Sequence, residues 1–299
     1  MSESPLIFDR ALLRARRRRA ARLGAETFLL EHVADDLAER LAVVKRHFAL
    51  AADIGSSGDA VSNRLAGRRL ADTVVTVRDD AIHPASAALN VIADDEALPF
   101  ADGALDLAVS VLSLHHVNDL PGALIQTRRA LKPDGLFIGA LLGGETLTEL
   151  RQAFTQAESE IEGGVSPRVA PFADLRDLGA LLQRAGFALP VTDADRLTVR
   201  YANAFALMRD LRRMGATNAL MERQRKPLRR ATLLRMAEIY AERFSDPDGR
   251  VRATFDIVWL SGWAPHESQQ QPLKPGSAKL RLADALGTRE IPAGEKPGR

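Results

Sequence analysis

The residues best suited by type and spacing to do chemistry lie in 51-AADIGSSGDA-60, where Asp53, Gly55 and Gly58 close a short apolar run. A strand that ends in an acidic residue and turns through glycine into a helix brings backbone close to a bound nucleotide or nucleoside. One such turn says little, since tight turns in any sheet protein look alike. Acidic residues recur, however, after the next two apolar runs. Asp79 and Asp80 follow 73-TVVTV-77, and Asp94 and Asp95 lie in 93-ADDEALPF-100. A carboxylate after the second strand, Asp79 or Asp80, can accept both ribose hydroxyls. Asp94 can accept from an exocyclic adenine amine while Ile92, Leu98 or Phe100 packs on the ring. Each aspartate taken singly reads equally well as a turn residue. Together they describe a nucleoside pocket.

The elements that must position these residues alternate. Continuous apolar runs at 48–55, 73–77, 89–93, 105–114 and 135–143 predict buried strands, and helical stretches such as 60–67 and 119–132 separate them. Strands without polar alternation, interleaved with helices, indicate an α/β fold with a mostly parallel sheet covered on both faces. Ligands bind such sheets beyond the carboxyl ends of the strands, where strand order reverses. After residue 145 the pattern turns helical (146–161, 173–187, 203–215 and 228–244), with strands at 195–201 and 251–263, the longer expected antiparallel at or near an edge. The predicted organisation is two N-terminal helices over 1–46, a nucleotide-binding domain over 47–264 with a helical cap at about 146–245, and a loosely ordered tail over 265–299.

Composition removes several classes of function. The 299 residues contain no cysteine, so a disulfide framework, a thiolate nucleophile and cysteine-bound zinc or iron–sulfur are excluded. The 41 basic side chains nearly balance 39 acidic ones, which is no nucleic-acid signature. No apolar run approaches a membrane span and no signal-peptide core opens the chain, so a cytoplasmic protein is expected. The one dense basic cluster, 14-RARRRRAAR-22, reads as a solvated helix face, with peripheral contact to an acidic partner or anionic membrane as the sharper alternative.

The order of these motifs, DxG, an acidic end to strand two, "ADDEALPF", "LDLAVSVLSLHHVND" and "RALKPDGLFIGALLGGETLTELR", resembles class I (type 11) S-adenosylmethionine-dependent methyltransferases over roughly residues 50–145. The blocks 7-IFDRAL-12, 110-SVLSLHHVNDLPGAL-124, 163-GGVSPRVAPFADLRDLGALLQRAGF-187 and 259-WLSGWAPHESQ-269 resemble, more narrowly, the methyltransferase-fold assembly factors of respiratory complex I. The resemblance implies a Rossmann-like seven-stranded sheet, S-adenosyl-L-methionine as cofactor, and either methyl transfer or, as credited to the mitochondrial member, hydroxylation of an arginine on a complex I subunit. A non-catalytic binding module is the third reading. Aligned on the family pattern DLGxGxG, Ser57 stands at the middle glycine and Asp59 at the last, so the loop is altered: a serine Cβ could crowd the cofactor, and the hydroxyls of Ser56 and Ser57 could bind its carboxylate.

The resemblance also assigns roles. Asp53, Gly55, Ser57, Asp79 or Asp80, Asp94 and Asp95 would hold the cofactor, with His115 and Asn118 near the reacting group. A histidine is readily poised near neutral pH as an acid or base; the alternative for His115 is a packed ring that does not titrate. The His115–His116 pair also looks like a metal-ligand fragment, but adjacent residues at a turn diverge and only His266 and Glu267 could complete it, so no metal is expected. Glu145 and Glu149 face either a guanidinium substrate or solvent. Trp259 and Trp263 share a strand face and read as core or lid packing.

Overall fold

The computed structural model describes residues 6–79, 89–270 and 282–289. Asp80 lies outside the described residues. The chain divides into two units, Met1–Pro265 and His266–Arg299.

The first unit opens with α1 (Arg10–Arg22) and α2 (Phe28–Ala42). Asp9 starts α1 by accepting from the Leu12 amide at 2.9 Å, and Arg19 and Arg22 sit in its last turn, where cations suit the helix dipole. Next come β1 (Leu50–Ile54), α3 (Ala60–Gly67), β2 (Thr73–Arg78), β3 (Leu89–Ile92) and β4 (Leu105–Val111). A 3₁₀ turn at Leu114–His116 leads to α4 (Leu120–Ala130) and β5 (Leu131–Leu142). Asp119 caps α4 through the Gly122 amide at 2.8 Å. Then follow α5 (Thr148–Ile161), α6 (Leu175–Arg184), β6 (Ala188–Tyr201), α7 (Ala204–Arg213) and α8 (Arg230–Phe244), and β7 (Val251–Trp263) completes the sheet. The described part of the second unit holds one short helix, α9 (Leu282–Ala285).

The seven strands lie in the order β3-β2-β1-β4-β5-β7-β6. The first five are parallel, and β7 runs antiparallel between β5 and the edge strand β6. Successive side chains of the central strands enter two separate cores, as the two-residue period of a strand requires. Ala51, Leu107, Val109, Leu136 and Ile138 pack with α2, α3, α5, α7 and α8. Ala52, Ile54, Ala108, Phe137 and Leu141 pack with α4 and α6 on the other face.

Several boundaries differ from the sequence expectation, among them the start of β5 at Leu131 and not at 135. The apolar run 105–114 ends as a strand at Val111, because Leu112 takes a left-handed backbone (φ +53°) and the chain then turns. Leu114 keeps the run apolar because it is buried beneath that turn. β6 begins at Ala188 and not at 195, since the 13-residue β7 supplies a ladder for its whole length. β1 and β4 are the neighbours at which strand order reverses, so the loops leaving them open a crevice at the carboxyl end of the sheet.

Candidate active site

That crevice is a cavity of about 380 Å³. Gly55, Ser56, Ser57 and Gly58 form one wall with Arg78 and Asp79 beside them. Leu112 and His115 follow from the end of β4, and Phe154, Phe172, Met208 and Phe255 supply an apolar wall from the segment after β5 and from β7. The start of α2, the inner side of α1 at Arg17 and Ala20, and the segments 168–170 and 213–219 line the rest.

The glycine turn depends on its two glycines. Gly55 (φ +74°) and Gly58 (φ +66°) are in the left-handed region. A Cβ on Gly55 would run into the Ser113 hydroxyl and approach the Asp95 carboxylate to 3.0 Å. Ser56 is buried and its Oγ accepts from the Val111 amide at 2.9 Å, tying the turn to the end of β4. It serves the loop's own architecture, whereas the exposed Ser57 lines the cavity. Ser57 is not among the positive-φ residues, so its Cβ puts no strain on the backbone of the turn.

The acidic residues divide into two groups. Asp79, directly after β2, lines the cavity with an 8% exposed side chain, and its Oδ2 has no hydrogen-bond partner. Asp53 is 1% exposed, both its carboxylate oxygens lack partners, and burial pushes its pKa up to about 6. Asp95 lies behind the loop and accepts from Ser113 Oγ at 2.9 Å. Burial pushes Asp95 up, but the Arg10 guanidinium outweighs it and holds the carboxyl below its usual range. Asp94 is more open, at 37% exposure, and burial together with the adjacent Asp95 raises it. Neither Asp53, Asp94 nor Asp95 is part of the cavity wall.

A left-handed glycine turn, a carboxylate oxygen at the end of β2 that makes no hydrogen bond, and a buried Asp53 behind the turn fit a polar, cationic nucleoside cofactor. S-adenosylmethionine meets that description, with Asp79 suited to the ribose hydroxyls and the turn to the methionine portion.

His115 and His116 are packed, not poised. Their rings lie 4.1 Å apart, and Phe172 and Phe8 approach them edge-on at 5.7 and 5.6 Å. Burial, aided by the Arg17 charge, pushes His115 down to about 3, and burial also holds His116 well below the usual histidine range. The ring packing favours the alternative of a packed, neutral ring over one titrating near neutral pH. His115 Nδ1 accepts from the Leu142 amide at 3.4 Å, which leaves the proton on Nε2.

Asn118 does not reach the cavity. Its Oδ1 accepts from the Ile7 and Phe8 amides at 2.9 and 2.7 Å and its Nδ2 donates to the Phe8 carbonyl at 3.2 Å, so the whole amide is spent on the chain before α1. Glu149 is likewise buried, accepting from the amide and hydroxyl of Thr254 at 3.1 and 2.6 Å. Glu145 is exposed and outside the cavity wall. Neither glutamate lines the cavity. Trp259 is buried beneath Arg40, 4.4 Å from its centroid, and Arg46 covers Trp263 at 5.3 Å. Among the described residues no cluster of three or more His, Cys, Asp or Glu could hold a metal, and no helix is long and apolar enough to cross a membrane.

The solvated reading of the arginine-rich helix holds for only one of its faces. Arg18, Arg19 and Arg22 are exposed. Arg10, Arg14 and Arg17, spaced one turn apart, point inward to Asp79 at 3.9, 3.8 and 3.7 Å. Arg10 also meets Asp94 at 2.8 Å, Asp95, and Glu96 at 3.5 Å. Spacing of i, i+4 and i+7 was the available signal, but the partners lie more than sixty residues away in the chain.

Comparison with known proteins agrees with the fold. Residues 52–139 match the methyltransferase domain family. The chain is 41% identical over 286 residues to human arginine-hydroxylase NDUFAF5, mitochondrial, covering 93% of this chain and 83% of that protein. It is 34% identical over 276 residues to malonyl-[acyl-carrier protein] O-methyltransferase of Halorhodospira halophila, covering 87% and 90% respectively. The crystal structure of YcgJ protein from Bacillus subtilis superposes with a TM-score of 0.54 at 14% identity, over 79% of this chain and 99% of that one, a likeness of fold. The similarity to the hydroxylases and O-methyltransferases spans nearly the whole chain. The chain is thus an enzyme of the class I S-adenosylmethionine-dependent methyltransferase family, and belongs within it to the NDUFAF5-like arginine-hydroxylase group.

Proposed function

We propose that the chain modifies an arginine side chain of a protein substrate, in the cytoplasm, with S-adenosylmethionine held at the glycine turn. The observation that carries this is the extent of the 41% identity. A match over 286 residues reaches far beyond the 52–139 cofactor segment and into the helices that wall the substrate side of the cavity. By the resemblance to complex I assembly factors, the protein bearing that arginine is a respiratory complex I subunit.

The residues have distinct parts in this reading. Asp79 accepts the ribose hydroxyls, Asp94 the adenine amine, and Gly55 to Gly58 lie against the amino-acid portion. The bound cofactor supplies an activated methyl group on a cationic sulfur. Asp53, buried without a partner, contributes negative potential behind the turn. Phe154, Phe172 and Phe255 exclude water and give a flat cation an aromatic wall. Two guanidinium–carboxylate pairs already stand on the cavity wall, Glu26 with Arg213 at 3.1 Å and Asp79 with Arg17 at 3.7 Å. With Asp79 given to the ribose, Glu26 is the carboxylate that can exchange its internal partner for an incoming arginine. Neutral His115 offers an Nε2–H donor and no general base.

A second reading, methyl transfer to a small acid or its thioester, is favoured by the 34% identity over 90% of a malonyl-[acyl-carrier protein] O-methyltransferase. The test is aerobic incubation of the protein with S-adenosylmethionine, a reductant and recombinant complex I subunits, followed by fragment mass spectrometry. Gain of one oxygen on an arginine supports hydroxylation, and gain of one methyl group supports transfer. No modified arginine contradicts the proposal.

A further inference from the structure

One nitrogen of Arg10 stands between the two carboxylates assigned to the nucleoside. Its Nη2 lies 2.8 Å from Asp94 Oδ1 and 3.9 Å from Asp79 Oδ2, and it also bonds Asp95 Oδ1. The Arg10 side chain is 12% exposed, so this is a seated guanidinium and not a surface contact. The four surrounding acids are not equivalent. Asp95 is tied to Ser113, and Glu96 accepts from the backbone amides of Asn118 and Asp119. Both belong to the scaffold. Asp94 and Asp79 remain: Asp94 is partly exposed, its Oδ1 also accepting from the Glu96 amide at 2.9 Å, and Asp79 keeps Oδ2 buried without a hydrogen bond, with Arg14 at 3.8 Å and Arg17 at 3.7 Å beside Arg10.

We infer that the carboxylates after β2 and β3 form a guanidinium-binding site, filled in cis by Arg10, which overlaps the nucleoside subsite. A ligand that takes Asp79 with its ribose and Asp94 with its base must draw these carboxylates away from Arg10, so the guanidinium and the nucleoside compete. The start of α1 is the part that moves. It is held by Asn118 through the Ile7 and Phe8 backbone, by the Asp9–Arg223 pair at 3.1 Å and by these acids. This inference rests on the proposed cofactor reading for its nucleoside half alone. The guanidinium half stands on the Arg10 geometry.

The opposing signs make the test decisive. If Arg10 were only scaffold, its loss would weaken cofactor binding. As a competitor, its loss strengthens it, because the apparent affinity of a site is reduced by the fraction of protein in which the site is free. Calorimetric titration with S-adenosylmethionine is expected to give about tenfold tighter binding in Arg10→Gln than in the unaltered protein. Glutamine keeps a hydrogen bond to Asp95, and Arg10→Ala is the harsher companion, with thermal melting as the folding control. Methylguanidinium titrated alone should give saturable heat in Arg10→Gln and none in the unaltered chain, and should reverse the gain in cofactor affinity.

Unchanged or weaker cofactor binding in folded Arg10→Gln overturns the competition. Absence of methylguanidinium heat beside saturable cofactor binding overturns the guanidinium site and leaves the proposed function standing. Methylguanidinium heat with no cofactor binding in any variant upholds the guanidinium site and defeats the cofactor reading.

Discussion

Arg78, the last residue of β2, reaches back over the glycine turn and donates to the Asp59 carboxylate at 3.0 Å and to the Gly58 carbonyl. Asp59 stands where the family pattern has its last glycine, so a carboxylate in place of glycine is matched by a cation one strand away. The arginine is 10% exposed and the aspartate 29%, which makes the pair stronger than an open surface bridge. Arg78→Met should therefore loosen the turn, raising the Kd for S-adenosylmethionine about tenfold and lowering stability by roughly 1–3 kcal/mol. In Arg78→Met, adding Asp59→Gly should recover part of both losses, a coupling that a double-mutant cycle measures directly.

Asp53 makes a prediction with a defined sign. Its pKa is raised from the ordinary 3.8 to about 6 by burial, so the native state holds its proton where the unfolded chain has released it. The stabilisation from protonated Asp53 is complete below about pH 4 and lost as pH rises through about 6. Asp53→Asn should accordingly stabilise the protein at pH 7, by about 2–3 kcal/mol at most. The same change should weaken binding of the cationic cofactor. Urea denaturation at pH 5 and 8 checks the first outcome and calorimetry the second.

The two half-buried histidines act in the opposite direction. Both are held below the usual value of 6.5, His115 to about 3, so the unfolded chain binds protons that the native state does not. Their contribution to stability is present above about pH 6.5 and declines as pH falls toward 3. Proton NMR should show the His115 ring resonances unmoved between pH 5 and 8. Movement with a midpoint near 6.5 would contradict a packed, neutral ring.

Asn118→Ala removes three hydrogen bonds that hold the segment ahead of α1. A loss of about 1–3 kcal/mol is expected, with faster proteolytic cleavage near residues 6–12. A catalytic asparagine would instead show normal protease resistance and reduced turnover.

The sheet was legible because its signals are local. Apolar runs closed by Asp53, Arg78 and Ile92 needed only their own residues to announce strands, and the left-handed glycines at 55 and 58 marked the turn. Side-chain roles were less so. Asn118 and Glu149 have cavity-like chemistry in sequence, yet their partners Phe8 and Thr254 lie 110 and 105 residues away and bury them in structural work. The arginine run looked solvated because a charge run ordinarily is. Only the folded sheet brings the 79 and 94–96 carboxylates beneath one face of α1 and turns Arg10, Arg14 and Arg17 into part of the site.

The most direct measurement is calorimetric titration of S-adenosylmethionine into the unaltered protein and into Asp79→Ala. Saturable one-site binding in the first, with at least a tenfold loss in the second, is expected if the GSSGD turn and the carboxylate after β2 form a working cofactor site. No heat in the unaltered chain, or equal affinity in both, would contradict it.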